Sequence, residues 1–225
     1  MKPIAVLLAT FLYFINPLRI SAQEKDANSG FMDFNAYYDN REFSVFTINY
    51  LANMRQGFQY FSFINYQGYT SNSDVQTFYS EHNLRKTIND YFQLNYQLVL
   101  RPGEKNDNHR IAPRLILSNT RSNKDKKIKI KYAVGPMVLD LVDGEKLKFM
   151  TQIEHAYFIG LPGNWYLNGF LDHNLVKGEK DSVVMEHQVG KELYSCFYAV
   201  IEYRLNTYMT EQQGIGFGLE YKMKF

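Results

Sequence analysis

The sequence predicts an all-β protein, a transmembrane antiparallel up-and-down β-barrel of about twelve strands. Three observations carry the prediction: an export-type N-terminus, a series of alternating apolar and polar segments, and a final segment, GIGFGLEYKMKF at 214–225, in which the alternation is cleanest. There Ile215, Phe217, Leu219, Tyr221, Met223 and Phe225 are apolar, whereas Gly216, Gly218, Glu220, Lys222 and Lys224 are small or charged. A period of two gives a strand one oily and one wet face. Soluble sandwiches use the same pattern, so the rest of the chain must decide what the oily face meets.

Residues 1–22 read as an export signal: Lys2, an apolar run from Ile4 to Ile15, Pro17, and a cleavage site after Ala22 in RISAQEKD. The run is shorter than the ~20 residues of a spanning helix. Residues 23–225 then form one barrel domain, since no internal linker divides them. The lone cysteine, Cys196, excludes an intrachain disulfide and reads as a small residue within a strand; no cysteine at the cleavage point supports a lipid anchor. Lys plus Arg number 25 against 23 Asp plus Glu, and this near balance argues against a nucleic-acid partner. Aromatics reach 16%, mostly Tyr and Phe, the residues that strands and membrane interfaces favour.

The strands are expected in order near 31–39, 43–53, 57–67, 76–86, 90–101, 109–119, 126–138, 147–159, 163–175, 182–192, 195–206 and 214–225. Their even number suits a bacterial barrel. In YFQLNYQLVLR, Phe92, Leu94, Tyr96, Leu98 and Leu100 oppose Gln93, Asn95, Gln97 and Arg101; in CFYAVIEYRLN, Phe197, Ala199, Ile201, Tyr203 and Leu205 oppose Tyr198, Glu202, Arg204 and Asn206. KIKIKYAV sets Ile128, Ile130, Tyr132 and Val134 against Lys127, Lys129 and Lys131. Segments 43–67 and 76–86 leave their register open. Short turns are expected at 54–56, 87–90, 160–164 and 192–195, and longer polar loops at 68–75, 102–108, 139–146, 176–181 and 207–213. Alternating short and long connections mark outer-membrane barrels, although TRSNKD at 120–125 is long for a turn and the first loop, DNRE, is short. A last strand that ends its apolar face on Phe225 matches the signal read by the barrel-insertion machinery. The expected location is the cell outer membrane, with outer-membrane lipid against the oily face.

The wet face then lines a lumen intermediate between small filled barrels and open porins. Its basic candidates are Arg110, Arg114, Lys127, Lys129, Lys131 and Arg204, and its acidic ones Glu154, Asp172, Glu186 and Glu202. Basic and acidic strands are expected on opposed walls, where they set a transverse field that orients dipolar solutes; the alternative is that the charges pair and fill the lumen. Inward Phe61, Phe63, Tyr166, Phe170 and Tyr198 either stack on flat solutes or serve as packing.

The strand pair EFSVFTINYLANMRQGFQYFSFINYQGY, followed by SEHNLRKTI and YFQLNYQLVLRP, resembles the early layout of the nucleoside-specific channel-forming (Tsx-like) outer-membrane proteins. The resemblance covers the first half after the signal, the last strand and the strand count, without that family's Trp-rich character. It implies a twelve-stranded channel for small hydrophilic solutes such as nucleosides, and it assigns no binding residue.

Rival functions leave weaker traces. The His-x-Ser spacing of barrel phospholipases is absent around His82, His109, His155, His173 and His187, so no catalytic residue is expected. His155, His173 and His187 share the lipid-facing parity of successive strands but fall at different heights, so neither a metal site nor a cofactor is expected. GIGFG precedes no helix and is not a phosphate loop; its glycines either let the strand bend or fit crowded neighbours. A non-conducting barrel, acting as a lipid hydrolase or as a structural or adhesive scaffold, is the alternative.

Overall fold

The computed structural model describes residues 29–69, 77–103, 106–119, 128–142, 147–176, 180–208 and 212–225. The export segment expected at 1–22, the turn expected at 120–125 and Lys127 lie outside them. The described residues form twelve strands: β1 (Gly30–Asp39), β2 (Phe43–Asn53), β3 (Phe58–Tyr69), β4 (Thr77–Thr87), β5 (Phe92–Leu100), β6 (Asn108–Asn119), β7 (Ile128–Val142), β8 (Lys148–Leu161), β9 (Trp165–Val176), β10 (Ser182–Tyr194), β11 (Phe197–Asn206) and β12 (Gln213–Lys224). Each pairs antiparallel with its neighbours in sequence, and β1 pairs with β12 from Phe31↔Lys224 to Asp39↔Gly216. Closure removes both sheet edges and satisfies the ladder groups within the barrel, as hydrocarbon surroundings require.

The register that the sequence left open over 43–86 is set by the pairs Thr47↔Asn65 and Phe61↔Asn83. Two expectations are corrected. The pattern ends β7 near 138 and makes 139–146 a loop, but β7 runs on to Val142. Pro136 has no N–H for the ladder, and the register shifts between Gly135 and Val138; beyond this bulge the strand resumes, with Asp140 opposite Arg110. Cys196 is not inside a strand: it occupies the turn between β10 and β11, at φ +68°. The short connections, at 54–57, 88–91, 162–164 and 195–196, gather at the rim where β1 begins and β12 ends.

Burial runs inside out. Tyr38, Phe46, Leu117, Phe149, Phe197, Ile201, Phe217 and Leu219 are exposed on the outer wall, while Asp33, Asn35, Asn83, Arg114, Glu202 and Glu220 are buried. Phe92 and Leu94 share the outer parity, opposite Leu115 and Pro113. A water-soluble domain hides such apolar groups and exposes such polar ones. The wall is therefore built for hydrocarbon outside and polar groups within.

Three outer histidines have phenol partners. Tyr60 Oη lies 2.7 Å from His82 Nδ1, Tyr96 Oη 2.9 Å from His109 Nδ1, and Tyr157 Oη 2.8 Å from His187 Nδ1. The third pair sits over Gly169, where a Cβ would come within 2.5 Å of His187 Nδ1. Such pairing satisfies polar atoms that face lipid.

Candidate functional site: a polar lumen

Alternation carries every second side chain of each strand inward, and bonded clusters form there in two regions. The first joins β9 to β12 with β1 and β2. Asn35 and Asn49 donate to Asp33 Oδ1 at 2.8 and 2.7 Å, Tyr37 donates to Glu202 at 2.8 Å, and Gln188 donates to Tyr37 Oη at 2.9 Å. Arg204 is ion-paired with Glu202 and stands 3.8 Å from Glu186, its guanidinium 5.0 Å above the Tyr37 ring. Tyr166 donates to Glu220, which is also paired with Lys222 at 2.7 Å. Lys222 Nζ lies 4.9 Å from the Tyr166 ring centre and 5.5 Å from that of Tyr198, while Phe158 stacks on Tyr166 at 5.8 Å.

The second network spans β3 to β8. Arg110 lies 3.1 Å from Asp140 and donates to Gln97 at 3.1 Å; Gln97 donates to Glu81 at 2.9 Å, and Tyr79 donates to the same carboxylate. Arg114 donates to both Glu154 oxygens, from Nε at 2.6 Å, and to Gln93 at 2.6 Å. Arg85 lies 5.5 Å over the Phe61 ring and donates to Gln59 at 3.4 Å, while its buried Nε has no partner.

The bridges that skip a strand share a device. A small inward residue on one strand lets a long side chain pass over it to the strand beyond. Ala133 of β7, wholly buried, is paired with Ile116 of β6 and Glu154 of β8, and Arg114, the next inward residue along β6 from Ile116, reaches Glu154 past it. Gly216 and Gly218 of β12 lie beneath Tyr37 as it reaches β11, and a Cβ on Gly190 would come within 2.2 Å of the Tyr166 ring. The crowding expected around the GIGFG glycines is thus explained by Tyr37 and, at Gly214, by Arg41.

The charges do not form opposed walls. Arg110 and Arg114 on β6 lie beside the acidic strands, separated from Glu154 only by β7, and Arg114 and Glu154 meet as a pair. Glu186, Glu202 and Arg204 come together, as do Tyr166 and Tyr198. Asp172 lies opposite Glu154 and Val184, and Phe170 opposite Ala156 and Glu186. Phe63 meets Tyr79 edge-on at 6.2 Å. Lys129 and Lys131 sit on β7 opposite Phe158 and Ala156.

No family model and no curated protein sequence matches the chain. Among solved structures it is similar to the KdgM porin, at 10% identity and TM-score 0.48, over 85% of this chain and 98% of that one. It is also similar to an outer membrane channel from Pseudomonas putida F1, at 10% identity and TM-score 0.42, over 91% and 98%. A porin of Rhodopseudomonas blastica follows at 9% and 0.32, over 88% and 99%. The fold stands on the chain's own strand pairing: a closed twelve-strand barrel, apolar outside and polar within, has the architecture of an outer-membrane channel.

Sequence reasoning missed Asp33, Asn35, Tyr37, Glu81, Arg85, Asp140, Gln188, Glu220 and Lys222 as network members. MDFNAYYD held a usable signal, since Asp33, Asn35, Tyr37 and Asp39 share one parity. Glycines on the wet parity held another.

Proposed function

We propose that the chain is an outer-membrane channel for passive passage of small hydrophilic solutes, nucleosides among them. The observation that carries this reading is the pairing of rings with hydrogen-bonding groups on the inner wall: Tyr166 and Tyr198 with Lys222, Phe158 being stacked on Tyr166, and Phe61 with Arg85. Flat rings gain from stacking on such faces, and their polar edges find donors and acceptors beside them. The early-strand resemblance to nucleoside-specific channels supports the same solute class. Purified protein in planar bilayers is expected to show discrete conductance steps, and liposomes should admit nucleosides faster than sugars of similar size. Equal rates would remove the nucleoside reading and keep the channel.

A filled, non-conducting barrel is the second reading. Gln188 on β10 reaches Tyr37 on β1 across two intervening strands, so the first network cuts a chord through the lumen. Folded protein that gives no conductance steps would favour it.

A further inference from the structure

We propose that the outer wall, at the rim of short turns, holds a site for one anionic glycerophospholipid. An open hollow of about 490 Å³ lies there between Tyr50 and Asn53 on β2, Tyr60 on β3, Leu84 on β4, Met54 and Phe225. Tyr50, Tyr60 and Leu84 occupy the outer parity of their strands, so the cavity faces hydrocarbon and not the lumen.

Its walls are rings packed on one another. Phe225 leans over Gly30, where a Cβ would come within 2.8 Å of the ring, and stacks on Tyr50 at 5.9 Å. Tyr60 tilts against Tyr50 at 6.0 Å and is held by His82. Two cations mark the water-facing side. Arg55, next to Met54, is exposed in its turn. Lys86 shares the outer face of β4 with Leu84, lies 4.4 Å from the Phe58 ring centre and donates to the Gln56 carbonyl.

The order from rim to mid-wall is therefore cation, then apolar cavity. This matches a glycerophospholipid, whose phosphate lies at the interface and whose acyl chain lies deeper. A neutral hydrocarbon would make no use of the exposed Arg55 charge, and a free phosphate would leave the hollow unfilled. The occupant is a membrane lipid of negative charge.

The probe is phosphatidylglycerol against phosphatidylcholine of the same acyl chains, added to full-length protein in a neutral detergent and read by native mass spectrometry. One retained phosphatidylglycerol is expected, in preference to phosphatidylcholine. Arg55→Gln and Lys86→Gln should each lower its retention about fivefold. Leu84→Trp should fill the cavity and abolish retention of both lipids. Folding is checked by gel mobility with and without heating; if Leu84→Trp does not fold, Ala52→Leu fills the same cavity from β2. Equal retention of the two lipids, or folded variants that retain phosphatidylglycerol as the wild type does, would overturn the proposal. The cavity lies outside the lumen, so that failure leaves the channel reading untouched.

Discussion

Removing Arg114 tests whether the lumen is held by buried ion pairs. Arg114 is 1% exposed, and its guanidinium donates to both oxygens of Glu154 and to Gln93. Two unit charges about 4 Å apart attract by about 4 kcal/mol at an effective dielectric near 20. Losing one partner of a buried pair costs about 3–5 kcal/mol, a similar size. Arg114→Leu should therefore destabilise the barrel by that amount. The double variant Arg114→Leu/Glu154→Leu, which leaves neither charge without the other, should cost far less than the two single changes added together. Trp165 is the chain's single tryptophan and lies at the start of β9 on the outer wall, so its fluorescence reports unfolding by guanidinium in detergent. A loss below about 1 kcal/mol for Arg114→Leu, as for an exposed pair, would refute the reasoning. So would a double variant as unstable as the sum.

Gly190→Ala should displace Tyr166 from Glu220 and cost about 1–3 kcal/mol in the same assay; an unchanged midpoint would count against the close approach of ring and strand. If nucleosides pass through the lumen, Tyr198→Ala should weaken their block of ion current about tenfold while leaving potassium chloride conductance within twofold of wild type. Equal block in both proteins would move the solute path away from β11.

Strand number and facing were legible because lipid outside and polar groups inside make the period of two visible in sequence. Phe217 and Glu220 show it on β12, and Leu94 and Gln97 on β5. The end of β7 was hidden because Pro136 breaks the alternation where the bulge shifts the register. Cys196 reads as strand because its neighbours are aromatic, yet its positive φ belongs to a turn. The pairing of Arg114 with Glu154 was not legible, since alternation gives the face of a residue and not what spans the curved interior. That depends on Ala133, a small residue that looks like filler in the sequence. Arg85 was passed over because SEHNLRKT alternates poorly, although its parity with Glu81 and Asn83 points it inward.

The ring of Phe225 straddles the seam of the cylinder. It leaves β12, crosses Gly30 on β1 and comes to rest on Tyr50 of β2, so it fastens three staves at once. This latch can engage only after the first and last staves have met, because Tyr50 lies beyond the joint that Phe225 must cross. A half-wound hoop has no such fastening, and a finished one cannot begin to unroll at the joint without first lifting that ring.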